Sequence, residues 1–339
     1  MQRIVAIGTS WAAQAPLPAL ASHGGVELAA ICSARMERAN DAAQKFGAAA
    51  AYDDFVAMID RERADIVYVG GPVGLHAPMI LSAFESGAHV ISEKPLAVDA
   101  AEADALVAAA EATGLRHSTA FTMRLFPGPA TIKALLADGA IGAPRHLHVS
   151  YWFGLPPSVP RVHGWLHDVA AGGGLLAAMG SHYLDLMRWW TGPLQITGGQ
   201  TRIWRPEIDD DQGRSQTVTA DDAFSFTATG ADDLLITMHA SSEIAAPTAP
   251  RVEILGSEGS LALTGLDRLE LSRPGAEPET VDLIDPITDD AARECESPRF
   301  GMVISDMLGA IDQQRPCEPN FSDAAAVQHA IDDVRRFAS

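Results

Sequence analysis

The first group of residues that could do chemistry is a turn after the apolar run RIVAIG. Its sequence is Gly8-Thr9-Ser10-Trp11-Ala12-Ala13. A glycine-rich turn lets the backbone approach a phosphate at a helix N-terminus, which is how dinucleotides are bound. Ser10 and Ala13 stand where the usual turn has its second and third glycines, so the motif also fits any strand-to-helix turn.

The second group is Glu93-Lys94-Pro95, which ends the apolar run AHVIS. In an open parallel sheet, ligands bind at the carboxyl edge of the strands. An amine at that edge could relay a proton to or from a ligand. A lysine at a strand end is also a common surface charge, and the position alone leaves both interpretations open.

The third group is AGGGLLAAMGSHYLDLMRWW, residues 171–190, where three glycines precede an apolar helical pattern. His182 and Asp185 are three residues apart, which places them on one helical face. The pair could serve acid–base chemistry. It could equally be a core histidine beside a local ion pair.

The elements that would carry these groups alternate regularly in the first 120 residues. Helical segments separate five apolar segments that are predicted as strands: RIVAIG (3–8), VELAAICS (26–33), ADIVYVGG (64–71), AHVISEKP (88–95) and LRHSTAF (115–121). Alternating strands and helices predict an α/β, doubly wound parallel sheet. We therefore assign residues 1–120 to a dinucleotide-binding domain.

Residues 121–339 show a different pattern, typical of an α+β domain. A helix over 130–138 precedes the strand HLHVSYWF, and TVTADDAFSFTATGADDLLITMHASSE predicts antiparallel strands with short turns. We expect irregular loops at LPPSVPRVHGW (155–165) and GRSQTVTADD (213–222).

Composition limits the partners. Hydrophobic residues make up 47% of the chain, and 44 acidic against 24 basic residues give a formal net charge of −20. This charge opposes nucleic acid and anionic membranes. Three cysteines without a CxxC pair indicate neither disulfides nor a metal site, and no leader or membrane-span pattern is present. We expect a cytoplasmic protein.

Taken together, these segments resemble the Gfo/Idh/MocA family of sugar and polyol oxidoreductases. The resemblance spans nearly the whole chain and is carried by the first turn with LPAL, GAHVISEKPLA, DGAIGAPRHLHV, GGGLLAAMGSHYLDLMRW and VEILGSEGSLAL (252–263). It implies an N-terminal Rossmann domain and a C-terminal domain with a mostly antiparallel open sheet. That sheet would border the substrate cleft and form a homodimer or homotetramer.

The resemblance also implies roles for individual residues. Lys94 and His182 match the family's catalytic lysine and histidine, and Asp185 the acidic residue that supports the histidine's helix. We expect His182 to face the cleft. The expected dinucleotide-binding residues are Gly8, Thr9, Ser10, Trp11, Ala13, Ser33, Arg35, Arg38, Glu93 and Lys94. The expected substrate-binding residues are Arg124, His163, His167, Asp168 and His182.

One departure from the family pattern is Ala178, where members typically carry an aspartate four residues before the histidine. Lys94 and His182 could suffice, His167 or Asp168 could substitute, or the chemistry could differ. The expected reaction is hydride transfer between NAD(P) and a secondary alcohol of a sugar or polyol. The alternatives are redox-assisted elimination or hydrolysis of a glycoside and a non-catalytic, cofactor-bound sensor.

The second strand ends Cys32-Ser33-Ala34-Arg35, without the carboxylate that accepts the adenosine ribose hydroxyls in NAD-specific folds. Ser33 could donate to a 2′-phosphate, and Arg35 or Arg38 could pair with it. This favours NADP, with NAD as the alternative. Arg35 could instead stack on adenine or point to solvent.

Overall fold

The computed structural model describes residues 1–154 and 161–338, which form two compact units. The first unit contains Met1–Thr122 and Ile287–Gln328, and the second contains Met123–Pro286 and His329–Ser339. The division that we expect from the sequence, 1–120 and 121–339, differs from these units because it lacks the return of Ile287–Gln328 to the first one.

The first unit is built on a six-stranded parallel sheet in the order β3-β2-β1-β4-β5-β6. Its strands are β1 (Gln2–Ile7), β2 (Val26–Cys32), β3 (Ala50–Tyr52), β4 (Ile66–Val69), β5 (His89–Ser92) and β6 (His117–Thr119). The α/β doubly wound fold is thus confirmed. The sequence predicted five strands and missed β3, because three residues at a sheet edge are too short to show a hydrophobic period.

Helices connect these strands and bury the apolar faces of the sheet, which explains why β4 is buried along its whole length. The helices are α1 (Pro16–Ser22), α2 (Met36–Phe46), α3 (Phe55–Glu62), α4 (His76–Glu85) and α5 (Ala100–Thr113). Within the described residues, we find no helix with the length and apolarity that a membrane span requires.

The returning segment carries α8 (Asp290–Arg293) and α9 (Pro298–Asp312) and ends with the start of α10 (Phe321–Ala338). Phe300 of α9 is buried, and its ring meets that of Tyr68 edge-on at a centroid distance of 5.6 Å. Burying a phenylalanine and a tyrosine against each other stabilises this arrangement. This contact is one of those that hold the returning segment on the first unit.

The second unit is built on an eight-stranded sheet in the order β16-β15-β14-β13-β7-β12-β11-β8, in which only β7 and β12 pair in parallel among the described strands. The strands are β7 (Pro144–Gly154), β8 (Gln195–Arg202), β11 (Ala223–Thr229), β12 (Leu235–Ser241), β13 (Glu243–Gly256), β14 (Ser260–Thr264), β15 (Arg268–Ser272) and β16 (Glu279–Thr280). The mostly antiparallel sheet is confirmed.

Two further strands correct the predicted loop at 213–222. Strand β9 (Glu207–Asp209) pairs with β10 (Ser215–Thr217) as a separate hairpin, so part of that segment is extended and hydrogen-bonded. The other predicted loop, 155–165, lies outside the described residues from 155 to 160. Its last residue begins a short helix at Trp165–His167.

Helices cover one face of the eight-stranded sheet. They include α6 (Pro127–Ala137) and α7 (Ser181–Thr191). Phe226 and Met238 lie on the buried face, and Tyr151 meets Tyr183 of α7 with ring centroids 5.9 Å apart. Thr227 pairs with Thr237 on the opposite, open face. This alternation of apolar and polar residues is typical of an antiparallel sheet with one packed face.

Candidate active site

The strand order of the first unit reverses between β1 and β4, and their carboxyl ends border the crevice in which such sheets bind ligands. Gly8 follows β1 with a φ of +107°. A Cβ added to Gly8 would come under 3.0 Å from the carbonyl oxygen of Gly70, which follows β4. Both the dihedral angle and the lack of space therefore require glycine at this position.

The first turn lines a groove of about 400 Å³ beside α2. The residues lining it are Thr9, Ser10, Ala13, Arg38, Asp41, Ala42, Lys45 and Phe46. Thr9 Oγ1 donates a hydrogen bond to Ser33 Oγ at 3.1 Å, which joins the turn to the end of β2. The structure thus brings together five of the residues predicted to bind the dinucleotide. Trp11 is 55% exposed on the adjoining short helix.

The end of β2 combines charges of both signs. Arg35 precedes α2, and both it and Arg38 are exposed. Burial, together with the carboxylates of Asp54 and Asp53, raises the pKa of Cys32 to about 12. The electrostatic potential at the end of β2, where the adenosine ribose of a dinucleotide would lie, therefore depends on two arginines and two carboxylates.

Glu93 and Lys94 follow β5, the strand next to β4. Glu93 is 8% exposed, and its carboxylate accepts hydrogen bonds from the Tyr68 hydroxyl at 3.2 Å and from the Lys94 backbone N–H at 3.3 Å. Burial raises the pKa of Glu93. Burial likewise lowers the pKa of Lys94, and the charge of Glu93 offsets part of this effect. The site therefore favours a neutral amine more than water would.

His76 was not predicted, yet it joins the loops that follow β4 and β5. Its buried ring lies with Nε2 2.9 Å from the carbonyl oxygen of Gly71 and Nδ1 3.3 Å from that of Leu96. Burial lowers the pKa of His76 and so favours the neutral ring. Neither His76 nor Tyr68 stands out in the sequence, because both occur in segments with the pattern of an ordinary core.

His182 is the second residue of α7, which continues from a π-helical turn at Leu176–Gly180. Asp221 holds the start of this helix, because its buried carboxylate accepts the Leu176 N–H at 2.8 Å. A Cβ on Gly174, whose φ is +107°, would collide with that carboxylate. Gly174 therefore leaves room for the carboxylate that caps this helix, and π turns of this kind are frequent at functional sites.

Asp185, one turn after His182, forms a buried ion pair with Arg124. Arg124 Nε and Nη2 donate to the two carboxylate oxygens at 2.8 and 2.5 Å. The side chains are 8% and 1% exposed. Arg124 was predicted to bind substrate; the structure shows that the Nε/Nη2 edge of its guanidinium contacts the helix that carries His182.

The predicted substrate-binding histidines lie together, with the rings of His163 and His167 5.4 Å apart. His167 Nδ1 accepts the Gly164 N–H at 3.0 Å, so a neutral ring carries its proton on Nε2. The Nε2 atom of His163 is buried and has no hydrogen-bond partner within 1–154 and 161–338. Asp168 accepts from the Ala170 N–H and the Thr219 hydroxyl, which gives it a local capping role.

Ala178 lies in the π-helical turn and donates its backbone N–H to the Gly174 carbonyl oxygen at 2.9 Å. It is half-buried, and its methyl side chain offers no acid or base four residues before His182. Of the two residues predicted to be catalytic, Lys94 lies in the first unit and His182 in the second.

Comparison with known proteins agrees with this fold. Residues 2–121 match a family described as "Oxidoreductase family, NAD-binding Rossmann fold", and residues 130–262 match the "GFO/IDH/MocA C-terminal domain". An uncharacterized oxidoreductase of Synechocystis sp. is 27% identical over 269 residues, 79% of this chain and 72% of that protein. Levoglucosan dehydrogenase of Pseudarthrobacter phenanthrenivorans is 31% identical over 180 residues, 52% of this chain and 46% of that enzyme.

Among solved structures, a levoglucosan dehydrogenase in complex with NADH and L-sorbose superposes with a TM-score of 0.91 at 23% identity. The match covers 100% of this chain and 97% of that one. The fold is therefore that of an NAD-binding oxidoreductase with a Rossmann unit and a C-terminal sheet unit. The chain belongs to the Gfo/Idh/MocA oxidoreductase family.

Because Gly8 combines a positive φ with contact to Gly70, we expect Gly8→Ala to weaken NAD binding by on the order of tenfold or more. Gly47→Ala is the matched control, since Gly47 has a φ of +73° but open space around its Cβ position. Calorimetric titration of both variants measures the effect. Equal dissociation constants for the two variants would show that close approach at residue 8 is irrelevant.

Proposed function

We propose that the protein oxidises a secondary alcohol of a sugar or polyol to a ketone, and catalyses the reverse reduction, with Lys94 as the principal proton relay. The single observation that supports this most is the position of Lys94 at the carboxyl edge of the parallel sheet, with a pKa lowered by burial. The dinucleotide, when bound, supplies the two-electron acceptor or donor of the reaction. The turn at Gly8 and the groove beside it fit such a ligand.

The proton steps belong to residues of this chain. In the oxidation, the neutral Nζ of Lys94 accepts the proton of the substrate hydroxyl while the C–H bond of the carbon that bears this hydroxyl breaks. His182 shares this proton transfer or holds the hydroxyl. His163 and His167 bind other hydroxyls, a role that the buried Nε2 of His163 and the Nε2–H of His167 support. With Ala178 in place of an acid, Lys94 and His182 act without a third group.

We expect Lys94→Ala to reduce kcat by roughly 10²-fold to 10⁴-fold, the usual contribution of a positioned acid or base. Dinucleotide affinity should change little. Only the neutral amine can accept a proton, so the rate of alcohol oxidation by the wild type should rise with pH as Lys94 loses its proton. Because the pKa of Lys94 is lowered, this rise should occur at a lower pH than for a lysine in water. The rise should be absent from the pH–rate profile of the variant. Lys94→Arg is the control, since a guanidinium keeps the charge but cannot accept a proton. Wild-type kcat in either variant contradicts the assignment.

For the cofactor, we propose a preference for NADP over NAD. The exposed Arg35 and Arg38 and the half-buried Ser33 support it, since an arginine pairs well with phosphate oxygens. Ser33 also accepts from Thr9, which fixes its hydroxyl beside the first turn. The nearby carboxylates of Asp53 and Asp54 repel a 2′-phosphate. A preference for NADP therefore requires that attraction by the two arginines exceeds this repulsion.

A hydrogen bond to a charged group contributes about 1.5 to 3 kcal/mol, which corresponds to roughly a tenfold to hundredfold preference for NADP. We expect Arg35→Ala or Arg38→Ala to remove most of the preference for NADP over NAD. Arg61→Ala, an equal charge change at an exposed site on α3, should leave it intact. Dissociation constants of both dinucleotides decide the point, and tighter binding of NAD by the wild type would refute the proposal.

We further propose a homodimer or homotetramer formed through the open face of the eight-stranded sheet, with a second copy of this chain as the occupant. Thr227, Thr237 and His148 follow one another across the strands of that face. Leu235 and Leu255 are 52% and 46% exposed on it, both in register with His146. Exposed leucines within a polar sheet face support an interface.

Replacement of Thr237 by arginine would place a charge at the centre of this face, and we expect it to shift the oligomer toward monomer. The variant Thr280→Arg on the edge strand β16 is the control. Light scattering at micromolar concentration measures the mass. A monomeric wild type would contradict the proposed interface.

A further inference from the structure

The face of α7 that carries His182 also carries the contacts of Arg124. Asp185 and Trp189 lie three and seven residues after His182, which places all three on one stripe of the helix. Arg124 donates to both oxygens of Asp185, and its guanidinium lies over the Trp189 ring at 5.7 Å. Lys133 also contacts Trp189 of α7. Its Nζ lies over the Trp189 ring and donates a hydrogen bond to the backbone carbonyl oxygen of Trp189.

The chemistry of this contact suits orientation rather than ligand binding. A guanidinium meets a carboxylate through two parallel hydrogen bonds, which fix rotation as well as distance. It keeps its charge at every working pH. Since the Arg124 and Asp185 side chains are almost completely buried, solvent does not loosen the pair.

We infer that Arg124 is a positioning residue, which sets the rotation of α7 about its axis and thereby directs the imidazole of His182. The inference rests on the proposed function, in which His182 meets the substrate hydroxyl. A rotation of about 10° moves an atom about 5 Å from the helix axis by about 1 Å. A displacement of this size can reduce a rate on the order of 10²-fold.

The test replaces both charges, because removal of one leaves the other buried and unpaired and such a variant can fail to fold. In Arg124→Met/Asp185→Leu we expect kcat to fall by on the order of 10²-fold, with KM and dinucleotide affinity within about twofold of the wild type. Arg124→Lys keeps the charge without the two-pronged geometry and should lose about tenfold. Lys133→Met removes only the contact at Trp189, near the far end of α7, and leaves the Arg124–Asp185 pair intact, so it should keep wild-type kcat.

A second readout separates this inference from the proposed function. In ¹H–¹³C spectra of histidine-labelled protein, the His182 ring signal, assigned by its loss in His182→Asn, should shift or broaden in the double variant and stay unchanged in Lys133→Met. This result holds even if the wild type oxidises no sugar, an outcome that would refute only the proposed function. Wild-type kcat with an unchanged His182 signal in the double variant would overturn the positioning role. A raised KM with unchanged kcat would instead make Arg124 a substrate ligand.

Discussion

The contact between the turn at Gly8 and the backbone at Gly70 is the constraint on which the rest of the site depends. It occurs where the strand order reverses, and it leaves no space for a side chain at residue 8. The turn therefore lies close against the sheet, with Thr9 hydrogen-bonded to Ser33. On the other side of this point, β4 carries Tyr68, and Glu93 and Lys94 follow β5, so one sheet edge would supply both the proposed dinucleotide site and the amine.

Buried polar contacts hold the chemistry-bearing side chains of each unit. In the first unit, the Tyr68 hydroxyl and the Lys94 backbone satisfy the carboxylate of Glu93 beside the amine. In the second, Asp221 and Arg124 hold α7 at its start and its middle. Groups of this kind are costly to bury unless they are fully paired, and such pairing leaves a side chain few alternative orientations. The active groups are thus set on rigid elements.

Sequence patterns predicted the parallel sheet, the antiparallel sheet and the motif positions, because local periodicity and turn residues determine them. They could not predict β3, which is too short for a period, or the return of Ile287–Gln328 to the first unit. That return is stabilised by contacts between residues far apart in the chain, such as Phe300 with Tyr68. For the same reason the sequence indicated Asp185 but not its contact with Arg124. Asp221 and His76 act through backbone groups that no motif identifies.

The central claim is net oxidation of a sugar or polyol alcohol, and a balance of products tests it most directly. Purified protein would be incubated with excess oxidised dinucleotide and a panel of sugars and polyols, and both the reduced dinucleotide and the ketone would be quantified. The account predicts one reduced dinucleotide for each ketone formed, at multiple turnovers, with at least one member of the panel. Release of a cleaved or dehydrated sugar without net dinucleotide reduction, or dinucleotide binding without turnover of any panel member, would contradict it.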